Sequence, residues 1–146
     1  MIINSDVINL TASFPFMMKY SDVCSAIGIQ DKYLYKLLKK KKFVHIIIKG
    51  SIRIPSSLFT AYLAEGDEFN RSKEFIQICY KESLSSYPDL MTVADVCDYL
   101  NVSKSTIKRV IAGNEIKIYK IKLNSQIRLI VKKTDLISYL MENTIY

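Results

Sequence analysis

Residues 91–140, MTVADVCDYLNVSKSTIKRVIAGNEIKIYKIKLNSQIRLIVKKTDLISYL, decide how this chain folds. Thr92 precedes Asp95 with the T-x-x-D spacing in which two side chains satisfy each other's backbone N–H groups at a helix start. Val96, Leu100 and Val102 carry apolar positions through that first helix and its turn. Asn101 stands where the chain must reverse, and Asn tolerates the left-handed conformation better than most residues. Ser103 can cap a second helix, whose Ile107, Val110 and Ile111 recur at i, i+3, i+4 and point inward. Lys104, Ser105, Lys108 and Arg109 are left outward, a polar and basic face of the size a DNA groove accepts. Gly113 fits a helix C-terminal cap. The chain then turns strand-like, reverses at Asn124-Ser125, returns through Ile127 to Val131, and enters a last helix.

Working outward, the chain slid on itself by 73 positions finds a second copy of this pattern. Met18 falls on Met91, Asp22-Val23-Cys24 on Asp95-Val96-Cys97, Ile27 on Leu100 and Ile29 on Val102. Leu34 meets Ile107, Lys36 meets Arg109, and Leu37-Leu38 meet Val110-Ile111. A two-residue gap at the hairpin brings Arg53 onto Arg128, and two more bring Tyr62-Leu63 onto Tyr139-Leu140. A shared triplet followed by apolar matches at helical spacing reads as a tandem duplication. In the first copy Gly28 holds the turn position of Asn101, Gly50-Ser51 makes the hairpin tip, Pro55 stops the return strand, and Ser56 or Ser57 can cap the final helix. Lys19 and Gln30 stand at the cap positions of Thr92 and Ser103, and Asp31-Lys32-Tyr33 at Lys104-Ser105-Thr106, so the two outward faces differ.

Between the copies, residues 64–90 read as a connector helix. Gly66 separates it from the preceding helix, Asp67 can cap it, and Ser85-Ser86-Tyr87-Pro88 ends it. Phe69, Ile76, Tyr80 and Leu84 fall on one side, widened by Phe75, Ile78 and Cys79, a stripe expected to pack between the copies. Residues 1–15 show no period that selects an edge strand, a short helix or loose chain, and the tail after Met141 is too short to interpret.

These residues resemble the winged helix-turn-helix family of excisionase and MerR type. The resemblance is carried by Thr92, Val96, Leu100, Val102-Ser103, Ser105-Thr106-Ile107, Arg109, Arg128 and Tyr139-Leu140, and in the first copy by Arg53-Ile54-Pro55 through Tyr62-Leu63. The second copy has two more residues between arginine and tyrosine-leucine than is usual there. The fold this implies is mainly α with small β-hairpin wings: a winged module over 16–65, a helical connector over 66–88 and a second winged module over 89–142. In such modules the second helix enters the major groove and the wing touches the neighbouring backbone or minor groove. Carried over, Lys32, Tyr33, Tyr35, Lys36, Lys104, Ser105, Thr106, Lys108 and Arg109 belong to the groove-facing helices. Lys49, Ser51, Arg53, Lys122, Asn124 and Arg128 belong to the wings. Arg109 is the strongest candidate for base reading, since its planar fork matches guanine edges.

Charge points the same way. The net charge is +7 on 146 residues, and it is unevenly placed. Residues 18–63 hold nine Lys/Arg against two Asp/Glu and residues 91–141 nine against four, whereas residues 64–90 hold three against six. Two basic blocks around an acidic connector suit two polyanion-binding modules, and solvated basic surfaces equally. The run Lys39-Lys40-Lys41-Lys42 complements a helix dipole, but four together suit phosphate contact, adding affinity more than specificity. Nothing suggests catalysis, a cofactor or a metal. Cys24 and Cys97 read as small core hydrophobes, the single His45 lies in an apolar strand, and four glycines cannot build a phosphate loop beyond the turns. No apolar run reaches the length of a membrane span, no secretory signal is visible, and three widely spaced cysteines fit a reducing cytoplasm. The expected function is sequence-specific binding of double-stranded DNA at two adjacent, unlike half-sites, as a small transcriptional regulator or an architectural, excisionase-like factor of a mobile element. The rival is a protein-interaction module that has kept the fold without DNA contact, with RNA binding third. A homodimer and a recombinase or polymerase partner are both compatible with the sequence.

Overall fold

The helix starts at Thr92 and Ser103 and the reversals at Gly28, Asn101 and Asn124 have physical counterparts in the computed structural model, which describes residues 10–146; residues 1–9 of the ambiguous N-terminal stretch lie outside the described residues. The first half runs β1 (Met17–Lys19), α1 (Tyr20–Ile27), α2 (Asp31–Lys39), β2 (His45–Ile48), β3 (Ser51–Pro55) and α3 (Ser56–Glu65). A 3-10 turn (Gly66–Glu68) and α4 (Lys73–Ser83) follow. The second half repeats the order as β4 (Leu90–Thr92), α5 (Val93–Leu100), α6 (Lys104–Ala112), β5 (Tyr119–Leu123), β6 (Gln126–Lys132) and α7 (Lys133–Asn143), and the chain closes with β7 (Thr144–Ile145). Among the described residues, seven strands in two antiparallel sheets make the fold mixed α/β, with more sheet than the expected pair of small wings.

Local chemistry explains the helix ends. The Asp95 N–H donates to Thr92 Oγ1 (3.1 Å) and the Thr92 N–H to Asp95 Oδ2 (3.0 Å), and Ser103 Oγ accepts from the Thr106 N–H (3.3 Å). The first half keeps only the return bond, Lys19 N–H to Asp22 Oδ2 (2.9 Å). Both tight turns use the left-handed region, at Gly28 (φ 66°) and Asn101 (φ 56°). Gly113 does not: its φ is −83°, and the left-handed residue is Asn114 (φ 55°). Its counterpart 73 positions earlier, Lys41, adopts φ 53° with an ordinary Cβ. The Arg71 guanidinium holds that turn by donating to the carbonyls of Lys41 (2.5 Å) and Lys42 (3.0 Å). Two other caps and one hairpin tip fall elsewhere than the sequence suggested. Ser72, not Asp67, caps α4 by accepting from the Phe75 N–H (3.2 Å). Pro55 is the N-cap of α3, without a serine side-chain bond. The first hairpin turns on Lys49-Gly50 (φ 47° and 82°), the pair of positive values a type I′ turn needs.

Strand register corrects the alignment of the two halves. Lys19 pairs with Arg53 in the first sheet, and Thr92 pairs with Ile130 in the second. Ile46 opposite Arg53 likewise matches Tyr119 opposite Ile130. The whole length difference therefore lies in the hairpin, two residues on each strand. Arg53 occupies the place of Ile130, in the middle of a sheet, and Arg128 lies a full pleat further out on a longer wing.

The halves are packed together rather than strung out. The sheet orders are β1-β3-β2-β7 and β4-β6-β5, so the last strand of the chain joins the first half's sheet, with His45 opposite Ile145 and Ile46 opposite Thr144. Behind that strand the fully buried Tyr80 of α4 bonds its hydroxyl to Thr144 Oγ1 (2.7 Å). Phe16 stacks on Tyr99 (5.8 Å between centroids) and meets the edge of Tyr80 (6.4 Å). One apolar cluster runs from Met17 to Leu140 and includes Phe69, Ile76, Tyr80 and Leu84 of the connector, as their spacing predicts; Ile78 points out to solvent.

Candidate nucleic-acid interface

In the second half, α6 is fixed by buried Ile107 and Val110 beneath it, which turns Lys104, Ser105, Lys108 and Arg109 to solvent. Thr106 is buried, and its hydroxyl shares a hydrogen bond with Ser103 (3.1 Å), so it serves the helix start. The long hairpin stands beside α6, with Lys120 through Arg128 all exposed and Asn124 at its left-handed tip (φ 56°). Between them runs an open groove of about 460 Å³, lined by Lys104 and Lys108 on one wall and by Gln126 and Arg128 on the other. Three predicted cations thus converge on one groove, with Thr92, Val93 and Ala94 at the start of α5 flooring it. Arg109 lies on the adjoining exposed face, and Lys122 and Asn124 lie further out on the hairpin.

The corresponding groove in the first half has a different chemistry. It is lined by Lys19, Tyr20, Ser21, Asp31, Gly50, Ser51, Ile52 and Arg53. Asp31 stands where Lys104 stands in the second half, and Tyr20 replaces Val93. The Tyr20 hydroxyl donates to the Asp31 backbone carbonyl, and Cys24 Sγ donates to Asp31 Oδ1 (3.3 Å). Burial, with Cys24 and Asp31 nearby, raises the Tyr20 hydroxyl above its ordinary value, so it remains a neutral donor.

Arg53 is half-buried and turned into the protein. Its Nε and Nη2 donate to the Asn101 carbonyl (3.0 and 2.7 Å) and its Nη1 to the Ile52 carbonyl (2.9 Å). Asn101 answers by donating Nδ2 to the Met17 carbonyl (3.1 Å). The first hairpin therefore rests on the turn of the second half's helix pair, in a cleft that also holds Ser51. Lys49, at the hairpin tip, forms an ion pair with Glu115 of the second half. Lys42 pairs with Asp67 (3.0 Å). Lys32, Tyr33, Tyr35, Lys36, Lys39, Lys40 and Lys41 are exposed on and just beyond α2.

Three basic groups that the sequence does not single out, Lys117, Lys120 and Lys132, adjoin the second groove's hairpin. Lys117 and Lys132 both lie over the ring of Tyr119 (5.2 and 4.7 Å), and the Lys117 hydrogen bond holds that hydroxyl below its ordinary value. The signal for Lys120 was its period-two spacing with Lys122 along β5, which places both on one strand face.

With this geometry in place, comparison with known protein families shows that residues 90–144 match a helix-turn-helix domain family. That stretch runs from β4 through α7 into β7 and contains the whole basic groove. No curated protein and no solved structure matches the chain. Among the described residues no helix is long and apolar enough to cross a membrane, and no cluster of His, Cys, Asp or Glu could hold a metal ion.

Proposed function

We propose that the protein binds duplex DNA without catalysis, and that its second half reads the sequence. The observation that carries this is the convergence of Lys104, Lys108 and Arg128 on the groove between α6 and the long hairpin, inside the stretch that matches a helix-turn-helix family. A helix of nine residues extends about 13 Å, enough to lay its basic face along the floor of a major groove. Arg109, beside Lys108 on that face, supplies base-edge recognition, and Lys122, Asn124 and Arg128 hold the flanking backbone. The first half is a diverged copy that adds charge through the α2 lysines. Because the copies are packed as one body and their faces differ, the DNA site is asymmetric and is covered by a single chain.

The test is selection of duplexes from a random pool, followed by a titration of the selected duplex at increasing salt. With roughly 6–10 phosphates neutralised, affinity falls by about 10³–10⁵-fold between 50 and 200 mM salt. Absence of any duplex binding at low salt, or binding indifferent to salt, would remove the reading in favour of a protein-interaction module.

A further inference from the structure

The first half keeps the helix pair, Lys36 at the place of Arg109 and Lys19 at its groove, but none of the three cations that line the second half's groove has a free counterpart in it. Its groove presents Asp31 in place of a lysine, its arginine bonds to the Asn101 carbonyl, and its hairpin lysine is paired with Glu115. A duplex seated against α2 would meet a carboxylate at the helix start and no free cation from the wing. What α2 offers instead is a different set of groups. At about 100° per residue, Lys39, Lys32, Lys36 and Lys40 fall in one stripe, with Tyr35 at one edge and Tyr33 at the other. Leu34 and Leu38 occupy the opposite, buried side. Tyr35 and Tyr33 are 51% and 57% exposed, and among the described residues no other ring stacks on either. Lys39 Nζ sits 4.9 Å from the centre of the Tyr35 ring, so a cation already rides on that face. In the second half the residues at these two positions are buried Thr106 and the groove lysine Lys108.

Exposed rings flanking a track of unpaired lysines are the composition of a surface for single-stranded nucleic acid. Bases stack on the rings whatever their identity, and the lysines follow the phosphates. A tyrosine ring exposed by half or more gains little from water, whereas an unpaired base offers it a flat apolar face. We propose that the α2 face of the first half binds unpaired nucleotides of a single strand next to the duplex held by the second half, so that the protein prefers a duplex with a single-stranded extension over a blunt one. This rests on the duplex reading above for the second half and goes beyond it for the first.

The experiment uses the full chain and anisotropy with a labelled duplex of about two helical turns. The duplex is blunt, or carries an extension of about ten thymidines, a length within the range that such surfaces cover. A third probe carries an extension of the same length without bases, which keeps the phosphates and removes the rings' partners. The thymidine extension is expected to tighten binding by about 10–100-fold, the strength of one or two stacked bases, and the baseless one by far less. In Tyr33→Ala/Tyr35→Ala the ratio of extended to blunt affinity drops to about that of the baseless probe. In Tyr33→Phe/Tyr35→Phe, which keeps the rings and removes the hydroxyls, the ratio is retained. Both tyrosines are exposed, so thermal unfolding of the variants should match that of the parent chain. Equal binding of blunt and thymidine-extended probes overturns the proposal, as does a baseless extension that tightens as much as thymidine. A loss in the phenylalanine variant equal to that in the alanine variant also overturns it, by showing that the hydroxyls act. The duplex reading is judged separately by Lys108→Ala/Arg128→Ala, which is expected to lower the salt slope of blunt-duplex binding by about two; an unchanged slope overturns that reading.

Discussion

Arg53 separates two accounts of the first half, and its replacement by alanine tests them. If the residue were a wing contact to DNA, removing it would leave the fold intact, weaken binding and lower the salt slope by about one. The structure assigns it a positioning role instead, since both Nε and Nη2 donate to the Asn101 carbonyl at the left-handed end of α5. The two bonds share one acceptor, so they count as one bond to a charged group, about 1.5–3 kcal/mol. Its half-buried stem of three methylenes adds about 1 kcal/mol at the usual value per buried methylene. Water can reach part of the vacated site, which lowers the sum to roughly 2–4 kcal/mol. For a chain of this length, at about 4 °C per kcal/mol, the midpoint of thermal unfolding should fall by roughly 8–16 °C. Arg53→Lys should recover less than half of this, because an ammonium cannot place two donors on one carbonyl in the guanidinium's fixed plane. Circular dichroism of the parent chain and both variants gives the midpoints, and a salt titration of DNA binding gives the slopes. An unchanged midpoint together with a lower salt slope in Arg53→Ala would refute the reasoning and return Arg53 to the DNA.

Three further outcomes follow. Lys108→Ala and Arg128→Ala should each lower the salt slope by about one on selected and random duplex alike, whereas Arg109→Ala should cost about 1–3 kcal/mol on the selected site alone and relax discrimination at one base pair; equal loss on both duplexes would make Arg109 a phosphate contact. Removing residues 144–146 deletes β7 and the Tyr80–Thr144 bond, so it should destabilise the first half's sheet as well as the end of α7. Loss of amide-exchange protection at β2 reads this out, and full protection there would show that the last strand is dispensable. Burial, the largest cause, lowers the pKa of His45, helped by Lys41 and opposed by the Phe43 carbonyl. The unfolded chain therefore binds a proton at higher pH than the folded one. His45 leaves the folded state unpenalised above its unfolded pKa of about 6.5, and stability falls as pH drops from there toward the lowered folded value. Urea midpoints for the parent chain should decline over that range, and His45→Gln should flatten the decline; identical profiles would place the titrating group elsewhere.

What the sequence made legible was much of what depends on neighbours along the chain. Thr92 with Asp95, Ser103 before Thr106, and Gly28 and Asn101 at the turns are each decided within a few residues, by a donor needing an acceptor or a φ needing the right side chain. The same holds for the outward lysines of α6, since buried Ile107 and Val110 fix the helix's rotation. What it hid depends on residues far apart. The pairing of β7 with β2 is invisible in a tail of six residues, because an edge strand that short is selected by the edge it meets. The alignment of Arg53 with Arg128 matched like chemistry, but strand register is set by main-chain pairing, which puts Arg53 opposite Lys19 and Ile130 opposite Thr92. That difference changes the reading of charge as well. Of the nine cations in residues 18–63, Lys42 and Lys49 have carboxylate partners and Arg53 is bonded to backbone carbonyls. The cations left to meet a polyanion lie chiefly along α2 and the turn after it, beside the two exposed tyrosines. A first half whose hairpin closes onto the second half thus exchanges wing contacts for an internal interface, and the helix left exposed is the place where a new ligand can be taken up.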